Sequence, residues 1–197
     1  MKSLILLPGM NGKTSLYARV RPHFPELITP EWIEPEVNEP LVDYARRFAE
    51  TLRPQITEPC MLGGTSFGGM VAHELAAALG LGSCLLISTV RTPAELPPDW
   101  QALRHLTVAG EEALWGQPRF KTRFLCWAAW ATLTWELSDG AAAVETRLLH
   151  GDLDRTFPLE CVQPDQVVVG GGHVLPMTHP EAVVAFISQS RFPSLEA

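Results

Sequence analysis

The sequence contains no long apolar run. A membrane-spanning helix needs about 18 or more consecutive apolar residues, and the best stretch here, residues 125–133, is about half that length. The N-terminus has one basic residue, Lys2, and a short apolar run, Leu4–Leu7, that Pro8 and Gly9 end. Such a run is typical of a buried strand rather than of a secretory signal. We therefore expect a soluble, cytoplasmic protein with no membrane span.

Clusters of basic residues and paired cysteines are also missing. The chain has 15 Lys and Arg against 22 Asp and Glu, so its formal net charge is −7. This charge, without a basic cluster, argues against nucleic acid as a partner. The cysteines lack the C-x-x-C spacing of a metal or redox site, and the histidines and carboxylates show no spacing that would bring them together on a metal ion. The scattered cysteines are Cys60, Cys84, Cys126 and Cys161.

Short apolar runs alternate with helical patterns over most of the chain. The chain has 197 residues, of which 46% are hydrophobic. This is enough for a single domain over residues 1–197 with a substantial core. Apolar runs such as Leu4–Leu7 are typical of parallel strands that are buried on both faces. The alternation predicts the α/β class, with a parallel sheet between two layers of helices. The candidate strands are residues 4–7, 27–33, 60–62, 83–88, 146–150 and 166–169.

The alternation breaks between residues 92 and 143. This segment holds five of the six tryptophans and has helical patterns over 100–115 and 119–137. The second helix is apolar over much of its circumference, so it must be covered on two sides. We expect residues 92–143 to form a helical cap that lines an apolar substrate pocket. A core helix packed on the domain, or a contact in a homodimer, stays open as an alternative. The candidate pocket residues are Phe124, Trp127 and Trp130.

A serine lies between a candidate strand and a strong helical pattern. Residues 64–68 read Gly-Thr-Ser-Phe-Gly, with an apolar run before them and the helical run 70–79 after them. A G-x-S-x-G motif in this setting is typical of a nucleophile elbow, which lifts the serine hydroxyl above the edge of the sheet. The glycines leave room where strand and helix turn back on each other. Ser66 is therefore a candidate nucleophile.

Two further candidates follow later strands. Asp154 comes after the strand 146–150 and His173 comes after the strand 166–169. Chemistry in open parallel sheets lies beyond the carboxyl ends of the strands, and the order Ser, Asp, His is the one expected for this architecture. Two alternative acids stay open. Asp152 lies two residues before Asp154, and Glu95 follows an earlier strand, 83–88.

Four motifs in this order resemble the α/β-hydrolase fold of serine hydrolases. They are the loop Leu-Leu-Pro-Gly-Met-Asn-Gly at 6–12, the elbow Gly-Thr-Ser-Phe-Gly-Gly at 64–69, His-Gly-Asp-Leu-Asp-Arg-Thr-Phe-Pro at 150–158 and Gly-Gly-His at 171–173. The resemblance implies that Ser66 is the nucleophile, His173 the general base and Asp154 the carboxylate that orients it. It also implies an oxyanion hole made by the backbone N–H groups of Met10 and Phe67.

The chain departs from this resemblance in two places. Many relatives have His-Gly where this sequence has Pro8 and Gly9, which removes a ring that often supports the loop. The family also has two more strands before the first one seen here, so we expect a reduced sheet of about six strands.

The resemblance implies an esterase or thioesterase that forms an acyl-enzyme and needs no cofactor. The expected substrate is a small molecule with an apolar acyl group of small to medium size. Transfer of the acyl group to an alcohol or thiol, or hydrolysis of a C–C bond, is possible with the same triad. A binding protein that keeps the fold without turnover is the more distant alternative.

Overall fold

The residues that the computed structural model describes, 3–57, 59–114 and 121–190, contain one sheet of six parallel strands. The strands are β1 Ser3–Leu7, β2 Leu27–Ile28, β3 Cys60–Thr65, β4 Ser83–Ile87, β5 Glu145–Gly151 and β6 Gln166–Val168. Their order across the sheet is β2, β1, β3, β4, β5, β6. The predicted α/β class, with about six parallel strands, is confirmed.

Seven α-helices of the described residues flank this sheet. They are α1 Leu41–Leu52, α2 Phe67–Leu79, α3 Pro98–Ala102, α4 Arg123–Thr134, α5 Asp139–Ala142, α6 Leu175–Thr178 and α7 Pro180–Gln189. Helix α1 buries the apolar stripe that its sequence spacing predicts. Helix α2 is buried along its first ten residues and ends at Gly80, whose φ of 74° is readily adopted by glycine. None of the described helices is long and apolar enough to cross a membrane.

Strand β1 separates two hydrophobic clusters. Ile5 and Leu7 pack in the cluster that contains α1, α2 and α4, whereas Leu4 and Leu6 pack in the cluster that contains α7. This alternation follows from the two-residue period of a strand. Both faces of β1 are covered, which explains its continuous apolar run. Its parallel pairing with β3 places the carboxyl ends of the two strands next to each other.

Residues 100–115 do not form the one helix that the sequence pattern predicts. Helix α3 ends at Ala102, and 3-10 turns follow over Leu103–Ala109 and Glu111–Leu114; residue 115 lies outside the described residues. Gly110, with a φ of 80°, separates the two turns. A residue with a positive φ cannot continue a right-handed helix, so the helical pattern is interrupted at Gly110.

Helix α4 is shorter than the predicted 119–137. The hydroxyl of Thr122 caps its first turn by accepting from the N–H of Leu125 at 3.2 Å, while residues 119 and 120 lie outside the described residues. At Trp135 the backbone is extended, and the indole N–H donates to a carboxylate oxygen of Glu74 at 2.8 Å. The helix is buried from Cys126 to Leu133, as its apolar circumference requires. The assignment of 92–143 to a cap stays a prediction.

Candidate active site

Ser66 has the backbone conformation of a tight, strained turn. It lies between β3 and α2 with φ 58° and ψ −129°, a region that non-glycine residues rarely adopt. Its N–H donates to the carbonyl of Ile87 at 3.0 Å, and its carbonyl accepts from the hydroxyl of Thr89 at 2.7 Å. A Cβ at Gly64 would lie 2.1 Å from the carbonyl oxygen of Gly68. The turn therefore needs glycine at position 64, and hydrogen bonds hold the serine in place.

Three side chains from different strand ends form one hydrogen-bonded chain. The Nε2 atom of His173 lies 2.8 Å from the Oγ of Ser66, and its Nδ1 lies 2.8 Å from Oδ2 of Asp154. A carboxylate can only accept, so Nδ1 carries the proton and donates to Asp154. Nε2 is then free to accept from the Ser66 hydroxyl. The structure brings together the three residues that the motifs single out.

The carboxyl group of Asp154 is buried and fully engaged. Its Oδ1 accepts from the backbone N–H groups of Thr156 at 2.8 Å and Phe157 at 3.1 Å, and its side chain is not exposed to solvent. Burial alone would raise the pKa of this carboxyl. The hydrogen bond and charge of His173, together with the two N–H donors, outweigh burial, so the pKa lies below its ordinary value. Asp154 therefore stays ionised at neutral pH.

The two alternative acids have other partners. Glu95 accepts from the backbone N–H of Arg91 at 2.5 Å, and Asp152 accepts from the backbone N–H of Gly170 at 2.7 Å. Among the described residues, Asp154 is the only carboxylate that is hydrogen-bonded to His173. The geometry favours Asp154 as the acid.

The two proposed oxyanion donors come from the loop after β1 and from the start of α2. Phe67 directly follows Ser66 and is the first residue of α2, so its backbone N–H has no partner within the helix. The positive end of the helix dipole is also at this point. Met10 comes from the loop after β1 and, with Ser66 and His173, lines a cleft of about 620 Å³. The loop after β1 therefore borders the same cleft as Ser66.

The lining of the cleft contains both apolar and polar side chains. The apolar ones are Leu16, Leu125, Val174 and Met177, and the polar ones include Asn11, Lys13 and Ser15. Val174 and Met177 are substantially exposed, so the apolar lining extends to the surface.

The expected aromatic pocket residues Phe124, Trp127 and Trp130 do not belong to the described lining of this cleft. Trp127 is completely buried, donates from its indole N–H to the carbonyl of Glu39 at 2.8 Å and packs on Tyr44. Trp130 donates in the same way to the carbonyl of Thr107 at 3.2 Å. Phe124 packs edge-to-face against Phe67 with ring centroids 6.3 Å apart. From α4 the described lining contains Leu125, which the aromatic pattern does not single out.

A family comparison agrees with this geometry. The model of the alpha/beta hydrolase family matches residues 4–186, nearly the whole chain. The chain belongs to the alpha/beta hydrolase family. A comparison with curated proteins found no match.

Solved structures share the fold of this alpha/beta hydrolase at low identity. A thermophilic esterase from Thermogutta terrifontis is 20% identical with a TM-score of 0.71, covering 96% of this chain and 89% of that one. The type II thioesterase BorB of the borrelidin biosynthetic cluster is 20% identical with a TM-score of 0.67, covering 95% and 90%. ClbQ from the colibactin pathway is 16% identical with a TM-score of 0.63, covering 95% of both chains. At these identities, the comparisons show that the fold is shared.

In this alpha/beta hydrolase an indole supports the loop that follows β1. Trp32 donates from Nε1 to the carbonyl of Gly9 at 3.2 Å, and its ring packs on Phe67 and Phe124. It comes from a loop after the short strand β2, where the sequence pattern had predicted a strand up to residue 33. The loop with Pro8 and Gly9 therefore has an aromatic contact from 23 positions further along the chain, a contact that no local motif indicates.

A second histidine lies beside Asp154. The Nε2 of His150 is 2.8 Å from the carbonyl of Phe157 and 3.5 Å from Oδ2 of Asp154. Its Nδ1 is buried and has no hydrogen-bond partner within the described part of the chain. Burial is the largest cause that lowers the pKa of this imidazole. His150 is therefore neutral in the fold and donates to Phe157. Its position at a strand end predicts burial but not its distance from Asp154.

We expect the hydrolase to lose stability as the pH falls below about 6.5. Burial also lowers the pKa of His73, so both His73 and His150 are neutral when folded. In the unfolded chain both take up protons near the ordinary pKa of 6.5. The unfolded state therefore gains protons first, and the free energy of unfolding falls by up to about 1.4 kcal/mol per pH unit for each histidine. The fall ends below the lowered pKa of the folded state.

Urea unfolding at pH 7.5 and pH 5.5 measures this slope. His150→Gln and His73→Gln should each reduce it by about half. His23 is exposed, so His23→Gln is the matched control and should leave the slope unchanged. Equal stability of the wild type at the two pH values would contradict the assignment of both histidines as neutral buried groups.

Proposed function

We propose that this protein is a serine hydrolase that cleaves carboxylic esters or thioesters through an acyl-enzyme. The observation that carries the proposal is the hydrogen-bonded chain from Ser66 through His173 to Asp154, with both steps at 2.8 Å. Membership of the alpha/beta hydrolase family supports it. The names of structural neighbours, which include an esterase and a thioesterase, point to the same class of reaction.

The first half of the reaction forms the acyl-enzyme. The Ser66 hydroxyl gives its proton to Nε2 of His173 while Oγ attacks the carbonyl carbon of the ester. The positive charge that develops on the imidazole is stabilised by ionised Asp154, which also holds the ring orientation. When the tetrahedral intermediate collapses, His173 gives the proton to the leaving alcohol or thiol. The acyl group stays on the Oγ of Ser66.

Negative charge develops on the carbonyl oxygen during this step. The backbone N–H of Phe67, at the start of α2, and that of Met10, from the loop after β1, would donate to this oxygen. Loss of one such donor in other hydrolases costs about 3 kcal/mol of transition-state stabilisation. Water then takes the place of the leaving group, gives a proton to His173 and attacks the acyl carbon, which forms a second tetrahedral intermediate. When this intermediate collapses, the bond between the acyl carbon and Oγ breaks and His173 returns the proton to Oγ, so the acid is released and Ser66 is restored.

A fluorophosphonate probe and nitrophenyl esters test the proposal. We expect one covalent adduct on the wild-type protein by intact mass, located on Ser66, and a burst of nitrophenol before steady turnover. Thioesters and oxygen esters of the same acyl group, each with and without an added alcohol or thiol, separate hydrolysis from acyl transfer. Absence of both adduct and turnover would contradict the proposal and favour a binding protein.

The apolar lining of the cleft should select for longer acyl chains. Leu125 lies in the first turn of α4 and lines the cleft near Ser66. Leu125→Ala removes apolar surface that would cover the chain, which corresponds to about 1.4 kcal/mol, or about tenfold in kcat/KM, for a hexanoyl ester. An acetyl ester, which is too short to reach this side chain, should change less than twofold.

Parallel kinetics with acetyl, butyryl and hexanoyl nitrophenyl esters measure this effect. Leu103→Ala is a matched control, because Leu103 is an exposed leucine that does not belong to the described lining of the cleft. An equal loss with all three esters would show that Leu125 supports the fold of α4 rather than the acyl chain.

A further inference from the structure

A buried tyrosine joins the two strands that end at the candidate site. Tyr17 lies in the 3-10 turn Thr14–Tyr17 and is completely buried. Its hydroxyl is 2.8 Å from the carbonyl oxygen of Leu7, the last residue of β1. The same hydroxyl is 2.7 Å from Oγ1 of Thr65, the last residue of β3. One side chain therefore bridges two strand ends that are far apart in sequence.

The proton arrangement at this bridge is fixed by its chemistry. The Tyr17 hydroxyl has one hydrogen, and a carbonyl can only accept, so Tyr17 donates to Leu7. Thr65 then donates to the phenolic oxygen. Burial raises the pKa of Tyr17 well above its ordinary value, so the hydroxyl is protonated at neutral pH and can donate to Leu7.

Both strand ends lead directly to the proposed oxyanion donors. After Leu7 the chain passes through Pro8 and Gly9 to Met10, and after Thr65 it passes through Ser66 to Phe67. The two segments are also in very close contact at Gly68. A Cβ at that position would lie 2.2 Å from the carbonyl oxygen of Pro8 and 2.6 Å from that of Leu7. The distance between the two segments can therefore change very little.

We infer that Tyr17 is a positioning residue that holds the Met10 segment and the Phe67 segment at the separation needed to bind the oxyanion. This inference rests on the proposed function. It assigns a role to a tyrosine that touches neither the substrate nor the reacting atoms and acts only through the carbonyl of Leu7 and the hydroxyl of Thr65. Because the oxyanion forms only in the transition state, loss of the bridge should lower kcat and leave KM nearly unchanged.

Tyr17→Phe removes the bridge without removing the ring. We expect kcat to fall by about 10-fold to 100-fold, the range associated with a small misplacement of a catalytic group, and KM to stay within twofold. Thr65→Val should act in the same direction, whereas Thr65→Ser keeps the hydroxyl and should retain most of the activity. The kcat of the double variant Tyr17→Phe, Thr65→Val should lie within about threefold of the kcat of the slower single variant, because the two changes break one bridge.

Tyr44→Phe is the matched control. Tyr44, the other tyrosine of the chain, is also completely buried, and its hydroxyl donates to the carbonyl of Ile33 at 3.0 Å. Its loss should lower stability by a similar amount and leave kcat within twofold. All rates are taken at 25 °C per active site titrated with the fluorophosphonate probe, so unfolded protein does not contribute.

The outcomes separate this inference from the proposed function. A wild type that reacts with the probe and turns over ester, together with a slow Tyr17→Phe and an unaffected Tyr44→Phe, supports the positioning role. Normal kcat in Tyr17→Phe or in Thr65→Val, with an active wild type, overturns it and leaves the proposed function intact. Equal losses in Tyr17→Phe and Tyr44→Phe also overturn it, because they would show a general effect of a lost buried hydroxyl. A wild type that does not react with the probe removes the proposed function and this role with it.

Discussion

Ser66→Ala is expected to lower kcat for nitrophenyl esters by on the order of 10⁶-fold, the scale of loss when the nucleophile of a triad is removed. The Oγ of Ser66 is the atom that His173 contacts at 2.8 Å, and no acyl-enzyme can form without it. Alanine lacks only the Oγ atom of serine. The strained turn, with its φ of 58°, and the close contacts of the neighbouring glycines should therefore stay as they are. Stability should change little, and substrate binding should persist.

Ser88→Ala is a close control for this experiment. Ser88 follows β4 with a φ of 47°, so it is a second serine in the left-handed region at the end of a neighbouring strand. Its hydroxyl is buried without a hydrogen-bond partner among the described residues. Ser88→Ala should keep both probe labelling and turnover. Labelling of Ser66→Ala at the wild-type rate would show that the probe reacts elsewhere and that Ser66 is not the nucleophile.

The elbow and the order of strand ends could be predicted because they depend on local rules. Gly64 and Gly68 are needed at this turn because a Cβ at either position would collide with backbone atoms, and this need is visible in five residues of sequence. The approach of Asp154 and His173 to Ser66 follows from the parallel sheet, since parallel strands have their carboxyl ends at one edge. Six strands in sequence therefore suffice to predict which side chains meet.

The supporting contacts could not be predicted because their partners are distant in sequence. Trp32 reaches the carbonyl of Gly9, and Tyr17 reaches Thr65 across 48 positions. Neither contact has a motif, and both depend on how loops of irregular length pack on the sheet edge. Hydrophobic periodicity predicts that such side chains are buried but does not identify the polar atom that each one meets.

The orientation of α4 illustrates the same limit. An apolar helix predicts burial on several sides, and the tryptophans on it could face either a pocket or the core. The deciding feature is the indole N–H, which needs an acceptor when buried. Trp127 finds the carbonyl of Glu39 and Trp135 finds the carboxylate of Glu74, so both rings are held against the body of the domain. Leu125, two residues before Trp127, lines the cleft instead.

Asp154→Asn is expected to lower kcat by on the order of 10⁴-fold, as for the same change in other triads. The carboxylate accepts from His173 through Oδ2 and from two backbone N–H groups through Oδ1. An asparagine has only one oxygen atom. If this oxygen faces the two backbone donors, the NH₂ group faces His173 and forces its other tautomer, so that Nε2 carries a proton and cannot accept one from Ser66.

The pH dependence of the variant tests this account. In the wild type, Asp154 stays ionised and provides a negative charge next to the imidazolium that forms during the reaction. With asparagine that charge is lost, so activity should increase with added hydroxide, as attack comes to depend on direct removal of the Ser66 proton. Probe labelling should slow in proportion to kcat, because both reactions need the same activated oxygen.

Asp152→Asn and Glu95→Gln complete the comparison, since each removes a carboxylate charge close to the site. Their oxygens accept from the backbone N–H groups of Gly170 and Arg91, which an amide oxygen can also do, so kcat should stay within about threefold of the wild type. A loss of 10³-fold or more in Glu95→Gln, together with an active Asp154→Asn, would move the role of triad acid to the earlier strand. The geometry argues against this result, because a change of acid would require His173 to give up a 2.8 Å hydrogen bond to a buried carboxylate whose pKa is already lowered by that contact.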